Sequence, residues 1–226
     1  MGKVVVALDP PPKENPESWV KERAEALGGS PSAFKVGLPL LLRTGIGILK
    51  EVVSASSRPV IADLKLADIG EVMSYAVEAV ADAGVDAVIA HAFVGRRGAL
   101  DKLVQTSREV GVKLLLLVSM SHPGSTEFID KHLNELVAEA LELGVWGVVA
   151  PATRVNVIRA VREAVGDKLL IYSPGVGAQG AEPGSAICAG ADYEIVGRAV
   201  TGSPNPREAL ERIASEQERR VRLCRS

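Results

Sequence analysis

Residues 59–91 read PVIADLKLADIGEVMSYAVEAVADAGVDAVIAH. The short apolar run predicts a strand over 59–65, the longer stretch behind it a helix over 71–83, and the second apolar run a strand over 86–91. Between helix and second strand, Ala83-Gly84-Val85 has the form of a glycine C-cap that turns at once into the next strand. Strand, helix and strand in that order make a βαβ unit, whose two strands run parallel.

The unit recurs in both directions from this stretch. Strands are predicted over 3–9, 33–37, 112–119, 146–150, 168–173 and 193–197, and helices over 17–27, 39–54, 98–110, 126–143, 153–165 and 206–223, with a short one near 183–189. Leu143-Gly144-Val145 and Ala189-Gly190-Ala191 repeat the glycine turn. Eight strands with eight crossovers, in a chain near the usual size of about 250 residues, predict a (β/α)8 TIM barrel; a doubly wound sheet is the alternative. No linker or low-complexity segment interrupts the pattern, so a single barrel domain over 1–226 is expected.

With 226 residues, 47% hydrophobic and 24% charged, the chain has material for a sizeable core. Its net charge of −2 gives no electrostatic reason to expect nucleic acid or an anionic membrane as partner. Arg219, Arg220, Arg222 and Arg225 read as the solvated face of a last helix. Two cysteines, Cys188 and Cys224, are too few for a disulfide framework, so free thiols in a reducing compartment are expected. The apolar run at the N-terminus is too short for a signal peptide and is stopped by Asp9 and three prolines, and no segment reaches the roughly 18 apolar residues of a membrane span. A cytoplasmic protein is the expectation.

Alternate side chains of a strand share a face, so Asp63 and Lys65 project together from the strand over 59–65. Asp68 lies three residues beyond, past the strand end, where it can bring a second carboxylate from a loop or from another chain. A lysine among carboxylates is held as an ammonium, which suits a proton donor rather than a Schiff-base nucleophile. The bland alternative is a surface salt-bridge cluster. Position argues against it, because a barrel builds its site at the C-terminal strand ends. Asp9, Lys35, Asp63, Lys65, His91 and Ser119 all fall at or near such ends.

The last two βα connections have another character. Ser173-Pro174-Gly175-Val176-Gly177-Ala178-Gln179-Gly180 follows the seventh strand, and the eighth closes with Gly197-Arg198. Gly175, Gly177 and Gly180 match the spacing of a dinucleotide fingerprint, but the helix behind them is short and Glu194 comes too soon, at the start of a strand. Barrels bind phosphate with these two loops, and Gly197, Arg198 and Gln179 fit that role. The predicted ligand is a phosphorylated small molecule, its reacting atoms near Lys65. Ser119 lacks an evident base beside it and reads as a recognition residue. His91 reads as a satisfied structural histidine, Trp19 and Trp146 as packing residues. No spacing of His122 and His132 suggests a metal.

Taken in order, Ala7-Leu8-Asp9, Phe34-Lys35-Val36-Gly37, Asp63 to Ile69, Met120 to Gly124, Pro174 to Gly180 and Val196-Gly197-Arg198 resemble the successive motifs of the orotidine 5′-phosphate decarboxylase family, the last enzymes of pyrimidine nucleotide synthesis. The resemblance implies decarboxylation of orotidine monophosphate to uridine monophosphate without metal or cofactor. It implies Lys65 as general acid, Asp63 against the substrate carboxylate, and Asp68 and Ile69 entering the site of a second subunit in a homodimer with shared sites. Asp9 and Lys35 would hold ribose hydroxyls, Ser119 and Pro174 would lie at the pyrimidine, and Gly175, Gln179, Gly197 and Arg198 at the phosphate end. After Ile69 the chain departs from the family's frequent Pro-Glu-Thr with Gly70-Glu71-Val72, which removes a hydroxyl. Two rivals remain: a Mg²⁺-dependent sugar-phosphate decarboxylase or aldolase of the same barrel group, and a nucleotide-binding barrel without chemistry.

Overall fold

The structure is a computed structural model that describes residues 2–225. Its strands are β1 (Val4–Ala7), β2 (Ala33–Gly37), β3 (Val60–Leu66), β4 (Ala87–His91), β5 (Lys113–Leu117), β6 (Gly147–Val149), β7 (Leu170–Val176) and β8 (Tyr193–Val196). Neighbours in sequence pair in parallel, and β8 pairs back onto β1 to close the barrel. The helices are α1 (Pro16–Leu27), α2 (Leu38–Thr44), α3 (Ile48–Ala55), α4 (Gly70–Ala81), α5 (Asp101–Glu109), α6 (Leu133–Leu143), α7 (Val155–Val165), α8 (Ser185–Cys188), α9 (Arg198–Thr201) and α10 (Pro206–Arg225). None among the described residues is long and apolar enough to cross a membrane.

Each strand is apolar on both faces because both are covered, as in other parallel sheets. Leu115 and Leu117 of β5 point into the barrel with Val5, Ala7, Ile61 and Ile89, while Leu114 and Leu116 point outward into the helix layer with Val4, Val6, Val60 and Val88. Full burial of one such side chain is worth about 1.5–3 kcal/mol, so this two-layer alternation fixes the register of every strand. Local signals agree. α1 starts at Asn15, whose side chain accepts the Ser18 amide, has Pro16 in its first turn and ends at Gly28.

Departures from the predicted elements have local causes. The helix expected over 39–54 breaks into α2 and α3 at Gly45-Ile46-Gly47, where Gly45 has φ 77°. The helix expected from 126 becomes regular only at Leu133, since Pro123 and Gly124 leave 3₁₀ turns before it. β7 runs on through Pro174 to Val176, and α9 is an extra turn directly after β8.

Two expectations fail along the barrel's closing seam, and both turn on contacts around one buried acid. Glu194, which comes too early for a dinucleotide-binding acid, is fully buried and accepts the Gly184 and Ala186 amides and the Gln217 side chain. Gln217 in turn binds both the amide and the carbonyl of Lys3, tying α10 to the start of β1. Arg220 is not simply solvated, since it donates to the Pro183 carbonyl at 2.9 Å and to Glu182 at 2.6 Å. Cys188 and Cys224 are not free thiols but form a disulfide, with Cα atoms 6.0 Å apart. The cause is packing between distant segments. Gly184 lets α10 come so near that a Cβ there would lie 2.9 Å from the Gln217 carbonyl oxygen, and this brings the end of α8 against the last turn of α10.

The bridge closes a loop of 36 residues, which in the chain-entropy picture restricts the unfolded chain by about 3–4 kcal/mol. Reductant is expected to lower the denaturant midpoint accordingly, and a Cys188→Ser, Cys224→Ser double variant should start from the lower midpoint and ignore reductant. Equal midpoints with and without reductant in the native chain would refute a stabilising role.

Candidate active site

A cleft of about 540 Å³ opens at the C-terminal ends of the strands. It is lined by Asp9, Lys35, Asp63, Lys65, Ser119, Pro174, Gly175, Gln179, Gly197 and Arg198. The charged residues at its floor form one alternating line across three strands. Lys35 lies 3.7 Å from Asp9 and 2.9 Å from Asp63, and Asp63 lies 2.7 Å from Lys65. Register builds this line, because Ala7 pairs with Lys35 and Gly37 with Asp63, so the three strand ends come level. Gly37 leaves room for this arrangement: a Cβ would sit 2.8 Å from an Asp9 carboxylate oxygen and displace that side chain.

Burial opposes the charge on Lys35, but the Asp63 and Asp9 carboxylates outweigh it and hold the ammonium's pKa above the ordinary lysine value. Burial likewise opposes ionisation of Asp63, and Lys35 and Lys65 reverse that, holding the carboxyl below its ordinary value. Lys65 itself is the more open of the pair, with 37% of its side chain exposed against 9% for Asp63. Its backbone is unusual. Among the described residues it is the single non-glycine with positive φ, 46°, at the point where the β3–β4 register shifts. Left-handed backbone at a lysine costs roughly 1–2 kcal/mol, and such positions gather at functional sites.

These shifts set a pH profile. Asp63, lowered from 3.8, contributes stability that is present above 3.8 and lost as pH falls through its folded value. Lys35, raised from 10.5, contributes stability that is complete below 10.5 and lost as pH rises through its folded value. His91 is lowered from 6.5, chiefly by burial and then by Lys65, so below 6.5 the unfolded chain takes up a proton that the folded chain resists. Unfolding free energy should therefore be flat from about 6.5 to 10, above which Tyr172, raised from 10.0 by burial, resists the ionisation that the unfolded chain undergoes. On the acid side it should decline gently, then fall steeply below about 4. Denaturant titrations across pH test this, and His91→Gln should remove the gentle step alone.

Asp68 and Ile69 do not join this line within the chain. Both are exposed, and Asp68 accepts the amide of Ile69 at 2.7 Å instead of pairing with Lys65. Ile69, Val72, Tyr75 and Phe93 are exposed in the same region of the sequence and fold, from 45% to 60%.

At the other end of the cleft the glycine loop folds on itself. Gly177 donates to the Ala181 carbonyl and Gly180 to that of Gly177. Gly177 has φ 78° and lies so close to α9 that a Cβ would be 2.7 Å from the Ala199 Cβ. Gln179 bends back over Gly175, where its side-chain oxygen would be 3.1 Å from an added Cβ. Arg198 is exposed at the cleft and takes part in no salt bridge among the described residues.

Comparison with known proteins agrees with this geometry. The family described as orotidine 5′-phosphate decarboxylase / HUMPS matches residues 2–213. The orotidine 5′-phosphate decarboxylase of Aeropyrum pernix is 48% identical over 215 residues, 94% of this chain and 87% of that protein. That of Methanosarcina barkeri is 41% identical, covering 95% and 94%. Among solved structures, orotidine 5′-monophosphate decarboxylase from Metallosphaera sedula superposes with a TM-score of 0.84 at 42% identity over 97% of this chain and 99% of that one. The Methanocaldococcus jannaschii enzyme, complexed with inhibitor BMP, gives 0.88 at 30% identity over 96% and 99%. The chain belongs to the orotidine 5′-phosphate decarboxylase family. It is thereby a carboxy-lyase.

Two features of this decarboxylase-family site escape the sequence. Arg154, just before α7, binds the Asp130 carboxylate, the Met120 carbonyl and, at 3.0 Å, the Ser119 hydroxyl. Asp130 also accepts from Ser119 and Ser125, each at 2.8 Å. Burial opposes its charge, but Arg154 and the two hydroxyls hold its carboxyl below the ordinary value. Ser119 thus has an acid beside it, in a network that fixes the loop after β5. The available signal was Arg154's place soon after β6, at the same barrel end. The second feature is His91, which is not satisfied: its Nδ1 is buried and has no hydrogen-bond partner, while its ring lies against Phe93.

Proposed function

We propose that the protein decarboxylates orotidine 5′-monophosphate to uridine 5′-monophosphate and CO₂, without metal or cofactor, as one barrel domain. The observation that carries this reading is the alternating Asp9–Lys35–Asp63–Lys65 line at one end of a cleft whose other end holds Arg198, which has no salt bridge among the described residues. The phosphate lies with Gly197, Arg198 and Gln179, the ribose hydroxyls at Asp9 and Lys35, and the pyrimidine by Ser119 and Pro174. The substrate carboxylate then faces Asp63. Cleavage of its bond to the ring releases CO₂ and leaves the electron pair on a ring carbon without an adjacent carbonyl to spread it. The Lys65 ammonium stabilises that carbanion and gives it a proton, which Lys65 later recovers from water.

Two unit charges about 4 Å apart interact by roughly 4 kcal/mol at an effective dielectric near 20. Lys65 accelerates the step only by what it gains on the carbanion over the bound carboxylate. Remote phosphate contacts offset the repulsion between Asp63 and the substrate carboxylate and draw the Gln179 loop closed. Asp68 and Ile69 reach the neighbouring subunit's cleft in a homodimer, a placement supported by the exposed Ile69, Val72, Tyr75 and Phe93. The substrate is a charged nucleotide that does not cross membranes, and the enzyme works in the cytoplasm beside its supply.

Loss of orotidine monophosphate absorbance in the ultraviolet, with chelator in excess, tests the reaction. Steady metal-free turnover is expected. Absence of turnover by folded protein, or turnover confined to a sugar phosphate with Mg²⁺, would overturn the assignment.

A further inference from the structure

The loop that follows Asp9 is Pro10-Pro11-Pro12-Lys13-Glu14, and its three prolines form part of the cleft wall. Proline fixes φ and has no N–H, so this wall is stiff but cannot fasten itself to the barrel by donating hydrogen bonds. Its internal backbone bond runs from the Glu14 amide to the Pro11 carbonyl at 3.1 Å. The remaining capacity of the loop is in its carbonyls, and three of them converge on one side chain. Arg43 of α2 donates to Pro11 at 3.1 Å, to Pro12 at 3.3 Å and to Glu14.

The connectivity gives this contact its meaning. α2 follows β2, which carries Lys35, and the proline wall follows β1, which leads into Asp9. Arg43 therefore fastens together the two segments that leave the Asp9–Lys35 pair, on the outer side of the cleft. A guanidinium suits the task, because its planar fork can serve several carbonyls at once and no carboxylate among the described residues competes for it.

We propose that Arg43 is a positioning residue for the sugar end of the substrate, holding the proline wall and Asp9 in their binding arrangement before substrate arrives. This rests on the reading that Asp9 and Lys35 take the ribose hydroxyls. Without Arg43 the three carbonyls turn to water and the wall must be ordered at binding, a cost that falls on affinity and leaves the chemistry at Lys65 in place.

Steady-state kinetics of Arg43→Met and Arg43→Lys with orotidine monophosphate test the assignment, alongside hydrogen exchange at the Glu14 amide, which donates to the Pro11 carbonyl. Arg43→Met should raise KM about tenfold with kcat within about twofold, and Arg43→Lys should fall between it and the native enzyme. Exchange at Glu14 should quicken in Arg43→Met while the barrel amides keep their protection. Unchanged KM, a loss confined to kcat, or unchanged exchange at the loop overturns the proposal. Failure of the native protein to turn over the substrate is a separate result that strikes the functional reading, and the exchange measurement then still decides whether Arg43 holds the wall.

Discussion

Lys65→Ala is expected to lower kcat by about five orders of magnitude while KM changes by less than about tenfold, combining loss of the proton donor with loss of the charge facing the carbanion. The split follows from geometry. Asp63 keeps Lys35 at 2.9 Å when Lys65 is removed, so its buried carboxylate retains a counter-charge and the cleft floor stays folded. The Asp9–Lys35 pair and Arg198 also remain to bind substrate. Single-turnover absorbance at saturating orotidine monophosphate reads the effect directly. Residual turnover within about a hundredfold of native would show that some other group supplies the proton, and Lys65 would lose the role of general acid.

Arg198→Ala is expected to act on the opposite side of the ratio, raising KM about a hundredfold with a small change in kcat. Arg198 is exposed at the cleft and has no intramolecular counter-charge among the described residues, so its removal leaves no buried carboxylate behind and should not disturb the fold. Two charge-assisted bonds at about 1.5 kcal/mol each account for the size of the loss. Raising salt should weaken the native enzyme toward the variant, because the contact is exposed and screened. A variant that binds substrate normally but turns it over slowly would move Arg198 from anion binding to the chemical step.

The barrel was legible because a parallel strand covered on both faces is written as a short apolar run, and β5 with its four leucines is the plainest case. The charged residues that line the cleft were legible for a related reason: Asp9, Lys35, Asp63 and Lys65 break such runs at the same end. What could not be read depends on contacts between distant segments. Arg154 meets Asp130 and Met120, 24 and 34 residues away, through the packing of two successive βα units. The Cys188–Cys224 bridge depends on how near α10 lies to α8 at Gly184, which composition cannot report. Asp68 shows the converse, a residue whose spacing from Lys65 suggests a partner that the single chain does not bring to it.

The left-handed backbone at Lys65 sets local strain against the role proposed for its side chain. Glycine would occupy φ 46° at little cost, whereas lysine pays for it at every folding event. A glycine there would relieve the backbone but would also remove the ammonium 2.7 Å from the buried Asp63 carboxylate. The apolar strand beneath it would stay, since any barrel needs it. The backbone preference at this position and the proton-donor role proposed for Lys65 therefore pull in opposite directions.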